Sequence, residues 1–314
     1  MKKILISNVG FGEACPSALT LLKENAYVIE NKNNIKFTEA DFFNHQIHDV
    51  DVLIAGTEKI TRTLIESATK LKLIGRVGVG IDNIDLDVVQ AKKIKISYTP
   101  DAPSTAVPEF TIALILNLIK GVSYSDRKMH QKIWHRPMGR TLSKCKIGII
   151  GAGKIGSSVI KLITSLAPTL EVFFYDPQIE CIKNAQKISL NDLFQICDII
   201  SLHVPLNEFT KNLVDTNLLS KMPQGSYLIN TSRGGIVNEA SLYDALKSNL
   251  AGAAIDVFEQ EPYMGKLCEL ENCILTSHIG SMTRETRGLM ETQIAEDVIN
   301  FIRNKPLMRP FENF

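Results

Sequence analysis

The sequence feature that most restricts the fold is an apolar run that leads directly into a glycine-rich segment. The run Lys146–Ile150 (KIGII) is followed by Gly151–Gly156 (GAGKIG) and then by a stretch with helical periodicity, Ser157–Leu166. A short apolar run before a glycine-rich turn is typical of a buried strand, and the periodicity after it is typical of a helix. The chain therefore contains at least one strand–turn–helix unit of the kind that builds parallel sheets.

The same alternation of short apolar runs and helical stretches extends over most of the chain. A first group of predicted strands comprises Lys3–Ser7, Tyr27–Glu30, Val52–Ala55, Leu73–Val77 and Lys95–Tyr98. A second group comprises Lys146–Ile150, Val172–Tyr175, Ile199–His203, Tyr227–Asn230, Ala253–Val257 and Ile274–Thr276. Alternating strands and helices favour parallel sheets, so we expect an α/β protein with two doubly wound parallel-sheet domains.

A boundary between the two groups is expected at Pro100–Pro103, just before the most apolar window, Phe110–Ile119. That window is shorter than the roughly 18 apolar residues of a membrane span, so it predicts a buried helix at a domain or subunit interface. The last helical stretch, Glu285–Arg303, follows the second group of strands, and we expect it to return to the first domain. The predicted domains are residues 1–101 with 284–314, and residues 102–283.

Charge and cysteine content exclude several classes of partner. The 314 residues carry 35 Lys and Arg against 34 Asp and Glu, so neither nucleic acid nor a membrane is expected as a partner. The six cysteines form no CxxC pair and no cluster with zinc-ligand spacing, which indicates reduced thiols, a cytoplasmic protein and no metal site. The apolar run after Lys3 is too short for a signal peptide.

The glycine-rich segment predicts a dinucleotide site. Gly151 permits a tight turn, Gly153 lets the backbone approach a pyrophosphate, and Gly156 lets helix and strand pack closely. Asp176 ends the next apolar run about 20 residues after Gly156, where an acid accepts hydrogen bonds from ribose hydroxyls. The same carboxylate would repel a 2′-phosphate, so NAD is favoured over NADP. The alternative is that Asp176-Pro177 is only a turn.

Polar residues follow several strands of the second group, where ligands of open α/β sheets bind. A 2-hydroxy or 2-oxo acid needs a cation for its carboxylate, which Arg233 could supply, and a proton donor or acceptor, which suggests His278. A carboxylate such as Glu261 would stabilise the charged imidazole. Arg233 could instead cap a surface turn, His278 could be an ordinary polar residue, and Glu261-Pro262 could be a simple loop.

Taken in order and spacing, these segments resemble the D-isomer-specific 2-hydroxyacid dehydrogenases over nearly the whole chain. The segments that carry the resemblance are Gly75–Asp85, Thr105–Glu109, Gly151–Gly156, His203–Leu206, Ile229–Gly235, Ala254–Phe258, Glu261-Pro262 and Ser277–Gly280. The similarity is greatest to the phosphoglycerate dehydrogenase-like branch, without a regulatory C-terminal domain. Pro108, Ser277 and Tyr98 depart from the common residues at their positions, which bears on the substrate more than on the chemistry.

The resemblance implies a Rossmann NAD-binding domain, a smaller flavodoxin-like substrate domain and a homodimer that acts on a small 2-hydroxy or 2-oxo acid. It implies that Arg233 holds the substrate, that His278 donates the proton and that Glu261 is its partner. The implied cofactor contacts are Lys154, Ile155, Asp176, Val204, Pro205, Thr231, Ser232 and Asp256. In the smaller domain, Val77, Gly78 and Val79 would help to hold the substrate carboxylate, and Arg76 either serves a distal phosphate or is a solvated side chain.

Two other functions remain open at this stage. The first is an NAD-binding regulatory protein of the corepressor kind, which shares the architecture and keeps such residues. The second is oxidation of formate or phosphite on the same fold, which the phosphoglycerate-like segments disfavour. A dehydrogenase is the main hypothesis.

Overall fold

The computed structural model describes residues 1–312 and divides the chain into two compact units. One unit combines Met1–Pro103 with the chain from Met282 onward, and the other is Ser104–Ser281. These bounds differ by two residues from those expected from the sequence. Residues 313 and 314 of the predicted first domain lie outside the described residues.

The first unit is built on a five-stranded parallel sheet. Its strands are β1 (Lys3–Ile6), β2 (Tyr27–Ile29), β3 (Val52–Ala55), β4 (Leu73–Arg76) and β5 (Lys95–Tyr98). Its helices are α1 (Pro16–Asn25), α2 (Glu39–Asn44), α3 (Arg62–Ser67), α4 (Leu86–Ala91) and α11 (Arg284–Ile302). The strand order β2-β1-β3-β4-β5 is that of flavodoxin, so the predicted flavodoxin-like fold is confirmed.

Helix α11 comes from the far end of the chain and completes the core of the first unit. Thr283 caps its first turn, and Ile294 packs directly against Gly75 of β4. The buried carboxylate of Asp297 accepts hydrogen bonds from Ser97 Oγ and Met308 N, both at 2.6 Å. These contacts hold the segment after α11 beside β5, where Pro310 forms an antiparallel bridge with Ser97.

The second unit is built on a seven-stranded parallel sheet. Its strands are β6 (Lys146–Ile150), β7 (Glu171–Tyr175), β8 (Gln186–Lys187), β9 (Ile199–Leu202), β10 (Ser226–Asn230), β11 (Leu250–Ile255) and β12 (Cys273–Leu275). Its helices are α5 (Ala106–Lys120), α6 (Val122–His130), α7 (Lys154–Leu166), α8 (Leu190–Ile196), α9 (Thr216–Lys221) and α10 (Glu239–Ser248). The order β12-β11-β10-β9-β6-β7-β8 is the Rossmann order with one added strand, as predicted.

Two differences from the sequence prediction concern the second unit. The strand β8 was not predicted, because two residues that pair at the sheet edge leave no apolar run to detect. Helix α7 begins at Lys154 rather than Ser157, so it starts inside the glycine-rich segment. The second difference matters for the site, because it moves the helix N-terminus next to Gly153.

The apolar window before the second sheet forms the expected buried helix. By length and hydropathy the segment Ala102–Lys120 could cross a membrane, but half of it is buried inside the protein. Leu114, Ile115 and Ile119 of α5 pack in the same core cluster as Val159 and Ile163 of α7. The helix ends at Gly121, whose φ of +66° suits a helix C-terminus. In this structure the segment is therefore a core helix of an α/β sandwich.

Candidate active site

The loop after β6 requires glycine at both ends. Gly151 has φ of +87°, and a side chain there would come within 2.5 Å of the His203 carbonyl oxygen. A side chain at Gly156 would overlap the Gly151 carbonyl oxygen. At Gly153, in contrast, an added Cβ would have no atom within 4 Å. Packing within the protein therefore requires glycine at Gly151 and Gly156, whereas the space beside Gly153 is empty.

Helix α7 starts immediately after that open position. Lys154 is its first residue, and the first turn contains no acidic side chain. The N-terminus of a helix presents backbone N–H groups and partial positive charge, which attract phosphate. An open glycine at the start of α7 is the arrangement that lets a pyrophosphate approach the backbone, so these residues fit a dinucleotide.

Asp176, directly after β7, is hydrogen bonded to the glycine loop. Its Oδ2 accepts from Ala152 N at 2.8 Å, and its Oδ1 accepts from Gln178 N at 2.8 Å and Ile179 N at 3.0 Å. Burial acts to raise the pKa of this carboxyl, but the three N–H donors outweigh it and hold the pKa below its ordinary value. Asp176 is therefore an anion that also fixes the loop, a role that the sequence did not indicate.

The other predicted cofactor contacts lie after β9 and β10. Val204 lies against Gly151, and Pro205 follows it. Thr231 Oγ1 is 3.1 Å from Thr111 Oγ1 of α5, and Ser232 N donates to Asn230 Oδ1 at 3.0 Å. The segments adjoin the carboxyl ends of β9, which neighbours β6, and of β10, which neighbours β9, so they lie at the edge of the sheet where the glycine loop begins.

His203 is a partly buried histidine at the same edge. Its Nε2 lies 2.9 Å from Ser201 Oγ, and burial lowers its pKa to about 3. Its carbonyl oxygen contacts the position of Gly151, so its main chain helps to shape the loop.

The structure brings His278 and Glu261 together. His278 Nδ1 lies 3.1 Å from Oε1 and 3.2 Å from Oε2 of Glu261, and both side chains are partly buried. A carboxylate can only accept a hydrogen bond, so Nδ1 carries the proton in this pair and Nε2 is left to face other groups. An imidazole whose Nδ1 is hydrogen bonded to a carboxylate can exchange a proton with a substrate through its other ring nitrogen, Nε2.

Arg233 lies in the loop after β10, next to the loop that carries Glu261. Its Nη1 donates to Ser232 O at 2.7 Å, and its carbonyl oxygen accepts from Asn230 Nδ2 at 2.9 Å. A side chain at the next residue, Gly234, would overlap the Phe258 carbonyl. The main chain at Gly234 therefore packs directly on the main chain at Phe258, which fixes the loop of Arg233 against the start of the Phe258–Tyr263 loop.

Two carboxylates hold these loops in a way that the sequence did not indicate. Asp256 is 1% exposed, and its carboxylate accepts three hydrogen bonds from the loop of His278. A cofactor contact of Asp256 remains a prediction. Glu239, the first residue of α10, accepts from Glu259 N at 2.9 Å. Burial raises the pKa of Glu239, although the Glu259 N–H acts to lower it. Asn238 predicts the helix start, but nothing in the sequence pairs Glu239 with Glu259.

The predicted substrate contacts Arg76, Val77, Gly78 and Val79 lie in the first unit, at the end of β4 and in the turn after it. Arg76 is only 6% exposed, and its Nη1 donates to the Val77 carbonyl oxygen. The alternative of a solvated arginine is therefore wrong. The guanidinium lies beside Gly78, whose φ is +144°. A role of these residues in substrate binding remains a prediction.

Residues 112–280 match the family model of the D-isomer specific 2-hydroxyacid dehydrogenase, NAD binding domain. The chain is 34% identical over 289 residues to hydroxypyruvate reductase of Thermotoga maritima, which covers 88% of this chain and 94% of that protein. The chain therefore belongs to the D-isomer specific 2-hydroxyacid dehydrogenase family, and the expectation of an NAD-binding domain is confirmed.

Two further similarities show the range of the family. D-3-phosphoglycerate dehydrogenase of Bacillus subtilis (strain 168) is 34% identical over 273 residues, which is 84% of this chain. The chain spans only 51% of the length of that relative, and between 51% and 58% of two other phosphoglycerate dehydrogenases. D-lactate dehydrogenase from Aquifex aeolicus, solved with NAD and lactic acid, matches with a TM-score of 0.84 and 26% identity over 96% of each chain.

Proposed function

We propose that the chain is an NAD-dependent D-2-hydroxyacid dehydrogenase that transfers a hydride between nicotinamide and a small 2-hydroxy or 2-oxo acid. The observation that carries the proposal is the contact between His278 Nδ1 and the Glu261 carboxylate at 3.1 Å. This pair lies in the same unit as the glycine loop and beside the loop of Arg233. Relatives named for hydroxypyruvate, phosphoglycerate and lactate point to the same class of substrate.

Arg233 is proposed to bind the substrate carboxylate. A guanidinium offers a planar fork of N–H donors that matches the two oxygens of a carboxylate, and its charge does not depend on pH in the physiological range. The main chain of Arg233 is fixed by Asn230 and by the packing of Gly234, so the side chain starts from a rigid base. A rigid base limits the entropy that is lost when substrate is ordered.

His278 is proposed to exchange the proton with the substrate oxygen. In reduction, a proton leaves His278 Nε2 and forms the O–H bond at C2 of the product, while Glu261 stabilises the imidazolium through Nδ1–H. In oxidation, the neutral Nε2 accepts that proton. Because the carboxylate holds the ring through Nδ1, it also selects the tautomer that leaves Nε2 available.

The dinucleotide is proposed to be held by Gly151, Gly153, Lys154, Ile155 and Gly156, with Asp176 near the ribose. When bound, the nicotinamide supplies or accepts the hydride at C2 of the acid. Gly153 has open space for close approach, and the negative charge of Asp176 disfavours a 2′-phosphate, which supports NAD over NADP. Val204, Pro205, Thr231 and Ser232 are proposed to line the same site.

The test is a substrate panel on the purified chain, with NAD(H) and NADP(H) compared. The panel contains 3-phosphoglycerate, glyoxylate, hydroxypyruvate and 2-oxoglutarate, and turnover of at least one acid with NAD(H) is expected. A phosphorylated substrate would support a role for the buried Arg76. Tight NADH binding without turnover of any acid would favour a regulatory NAD-binding protein instead.

We further propose that the chain is a cytoplasmic homodimer that associates through the second unit. Large apolar side chains are exposed along one segment, namely Val122, Met129, Ile133, Trp134 and Met138. Contiguous exposed apolar surface marks association sites. All six cysteines are free, which fits a reducing compartment.

Sedimentation equilibrium tests the dimer. We expect a mass of twice the 34.9 kDa of one chain. Replacing Trp134 and Met138, which are 79% and 98% exposed, with Ser should give the mass of a single chain. Phe209→Ser, at a residue that is 80% exposed outside this segment, is the matched control and should leave the dimer intact. A single-chain mass for the unmodified protein would contradict the proposal.

A further inference from the structure

The loop that carries His278 is attached to one buried residue, Asp256. Thr276 Oγ1 donates to Asp256 Oδ1 at 2.6 Å, Ile279 N donates to Oδ1 at 2.9 Å, and Gly280 N donates to Oδ2 at 3.0 Å. His278 N donates to the Asp256 carbonyl oxygen at 2.9 Å. Three donors thus satisfy a carboxylate that is 1% exposed and would otherwise be costly to bury.

The backbone of His278 needs such an attachment. Its φ is +57°, a left-handed conformation that side chains other than glycine adopt uncommonly. The N–H groups of the two following residues converge on the Asp256 carboxylate because the chain turns at His278. The hydrogen bonds therefore stabilise the same conformation that aims the imidazole.

The two carboxylates near His278 act on different parts of it. Glu261 accepts from the ring nitrogen Nδ1, whereas the Asp256 carboxylate accepts from the Thr276 hydroxyl before the residue and from the main-chain N–H groups of Ile279 and Gly280 after it. Asp256 itself is held at the end of β11, where its N–H donates to Asn230 O at 3.0 Å. A residue that directly follows β11 thereby sets the position of an imidazole that lies on another loop.

We propose that Asp256 is a positioning residue that holds His278 in the orientation needed for proton transfer, an inference that rests on the proposed function. This role is additional to the cofactor contact that the resemblance to the family implies for Asp256. A cofactor contact would affect NADH affinity first, whereas a positioning role affects the rate of proton transfer first. Displacing a reacting group by about 1 Å costs on the order of 10²-fold in rate.

The first experiment is a double-mutant cycle with Asp256→Asn and His278→Gln, measured as kcat and as NADH affinity. Asp256→Asn is expected to lower kcat by roughly 10²-fold, with NADH dissociation constants within about threefold of the unmodified protein. The double variant is expected to be no slower than His278→Gln alone, because residues that act as a unit are not additive. Losses that multiply, or a loss confined to NADH affinity, would overturn the proposal.

Two variants of Thr276, a hydrogen-bond donor to Asp256, test the proposal if Asp256→Asn does not fold. Thr276→Val removes a single donor to Asp256 and keeps the side-chain shape, so kcat is expected to fall by about three- to tenfold. Thr276→Ser keeps the hydroxyl and is expected to restore most of that loss. Equal kcat for Thr276→Val and the unmodified protein would contradict the proposed role of the Asp256 hydrogen bonds.

A spectroscopic readout separates failure of this inference from failure of the proposed function. The proton between His278 Nδ1 and Glu261 is expected to give a low-field NMR resonance, which His278→Gln assigns by its disappearance. Loss of that resonance in Asp256→Asn would support positioning even if no acid in the panel is turned over. An unchanged resonance in Asp256→Asn would overturn the inference, whatever the enzyme does with its substrates.

Discussion

Two regions at the same edge of the second sheet are held in place in different ways. The glycine loop after β6 owes its shape to missing side chains, because a Cβ at Gly151 or Gly156 would collide with backbone. The loops after β11 and β12 owe their shape to carboxylates, chiefly Asp256 and Glu239, which accept backbone N–H donors from residues distant in the chain. The first region is specified by a few consecutive residues, whereas the second depends on long-range hydrogen bonds.

The largest effect on kcat is expected at His278, in the loop after β12. His278→Gln should lower kcat by about 10³-fold, because general acid–base catalysis contributes roughly 10²- to 10⁴-fold. NADH affinity should stay nearly unchanged, since the glycine loop is separate from His278. His48→Gln, at an exposed histidine of the first unit, is the control for steady-state kinetics. Retained turnover in His278→Gln would show that another group handles the proton.

A pair of alanine variants sharpens the comparison within the glycine loop. Gly156→Ala should lower the free energy of unfolding by about 1–3 kcal/mol, since its Cβ would overlap the Gly151 carbonyl. Gly153→Ala has open space, so its stability should change by less than about 0.5 kcal/mol. Its NADH affinity should nevertheless fall by about tenfold, equivalent to about 1.4 kcal/mol.

Urea unfolding and NADH fluorescence titration measure the two properties of these variants separately. Each glycine variant serves as the control for the other, since the substitution is the same and only the surroundings differ. If Gly153→Ala bound NADH as tightly as the unmodified protein, the open space at that position would have no role in cofactor binding.

Asp176 combines the two ways of holding a loop, because it is a carboxylate and it accepts a hydrogen bond from the glycine loop. Asp176→Ser should reduce the preference for NADH over NADPH by about tenfold, as a negative charge near the ribose is removed. Kinetics with both cofactors measure this preference. A preference for NADPH in the unmodified protein would contradict the assigned role.

The pH dependence of stability offers a second check on Asp176. Its folded pKa lies below the ordinary value, so the stabilisation is complete above that ordinary value and is lost as the pH falls through the folded pKa. The difference in unfolding free energy between the unmodified protein and Asp176→Ser should therefore shrink in acid. If the difference in unfolding free energy stayed constant down to the lowest pH, packing rather than the charge of Asp176 would be its cause.

The smallest effect is expected at Glu239. Glu239→Gln keeps an oxygen that can accept from Glu259 N, so kcat should stay within about threefold. Glu239→Ala removes the acceptor and frees the Phe258–Tyr263 loop, so kcat should fall further, by about five- to tenfold. Rates that are equal for the two variants would show that the loop of Glu261 does not depend on this hydrogen bond.

The two regions also differ in how well the sequence predicts them. Local signals sufficed for the two sheets, for the glycine loop and for the buried helix α5, because each depends on periodicity or on a short motif. The resemblance to the family supplied the roles of Arg233, Glu261 and His278, which spacing alone left open. Their roles remain proposals, although the structure places His278 against Glu261.

Other features could not be predicted because they depend on three-dimensional packing. The bonds of Asp256 join residues 20 or more positions apart, and the bond from Glu259 to Glu239 has no sequence pattern at all. The burial of Arg76 was also open, since a charged residue at a strand end is more often solvated. Strand β8 is too short for its pairing to appear as an apolar run.

The way α11 closes the first unit has a consequence for how the protein forms during synthesis. Residues 1–103 emerge from the ribosome before α11, so the face of β1, β3 and β4 that packs against Ile294 and Val298 stays partly uncovered until α11 has been made. The second unit is continuous in the chain and can fold in the meantime, as domains generally do during translation. The period of synthesis in which residues 1–103 lack α11 is therefore the one in which the chain is most exposed to aggregation and would benefit most from a chaperone.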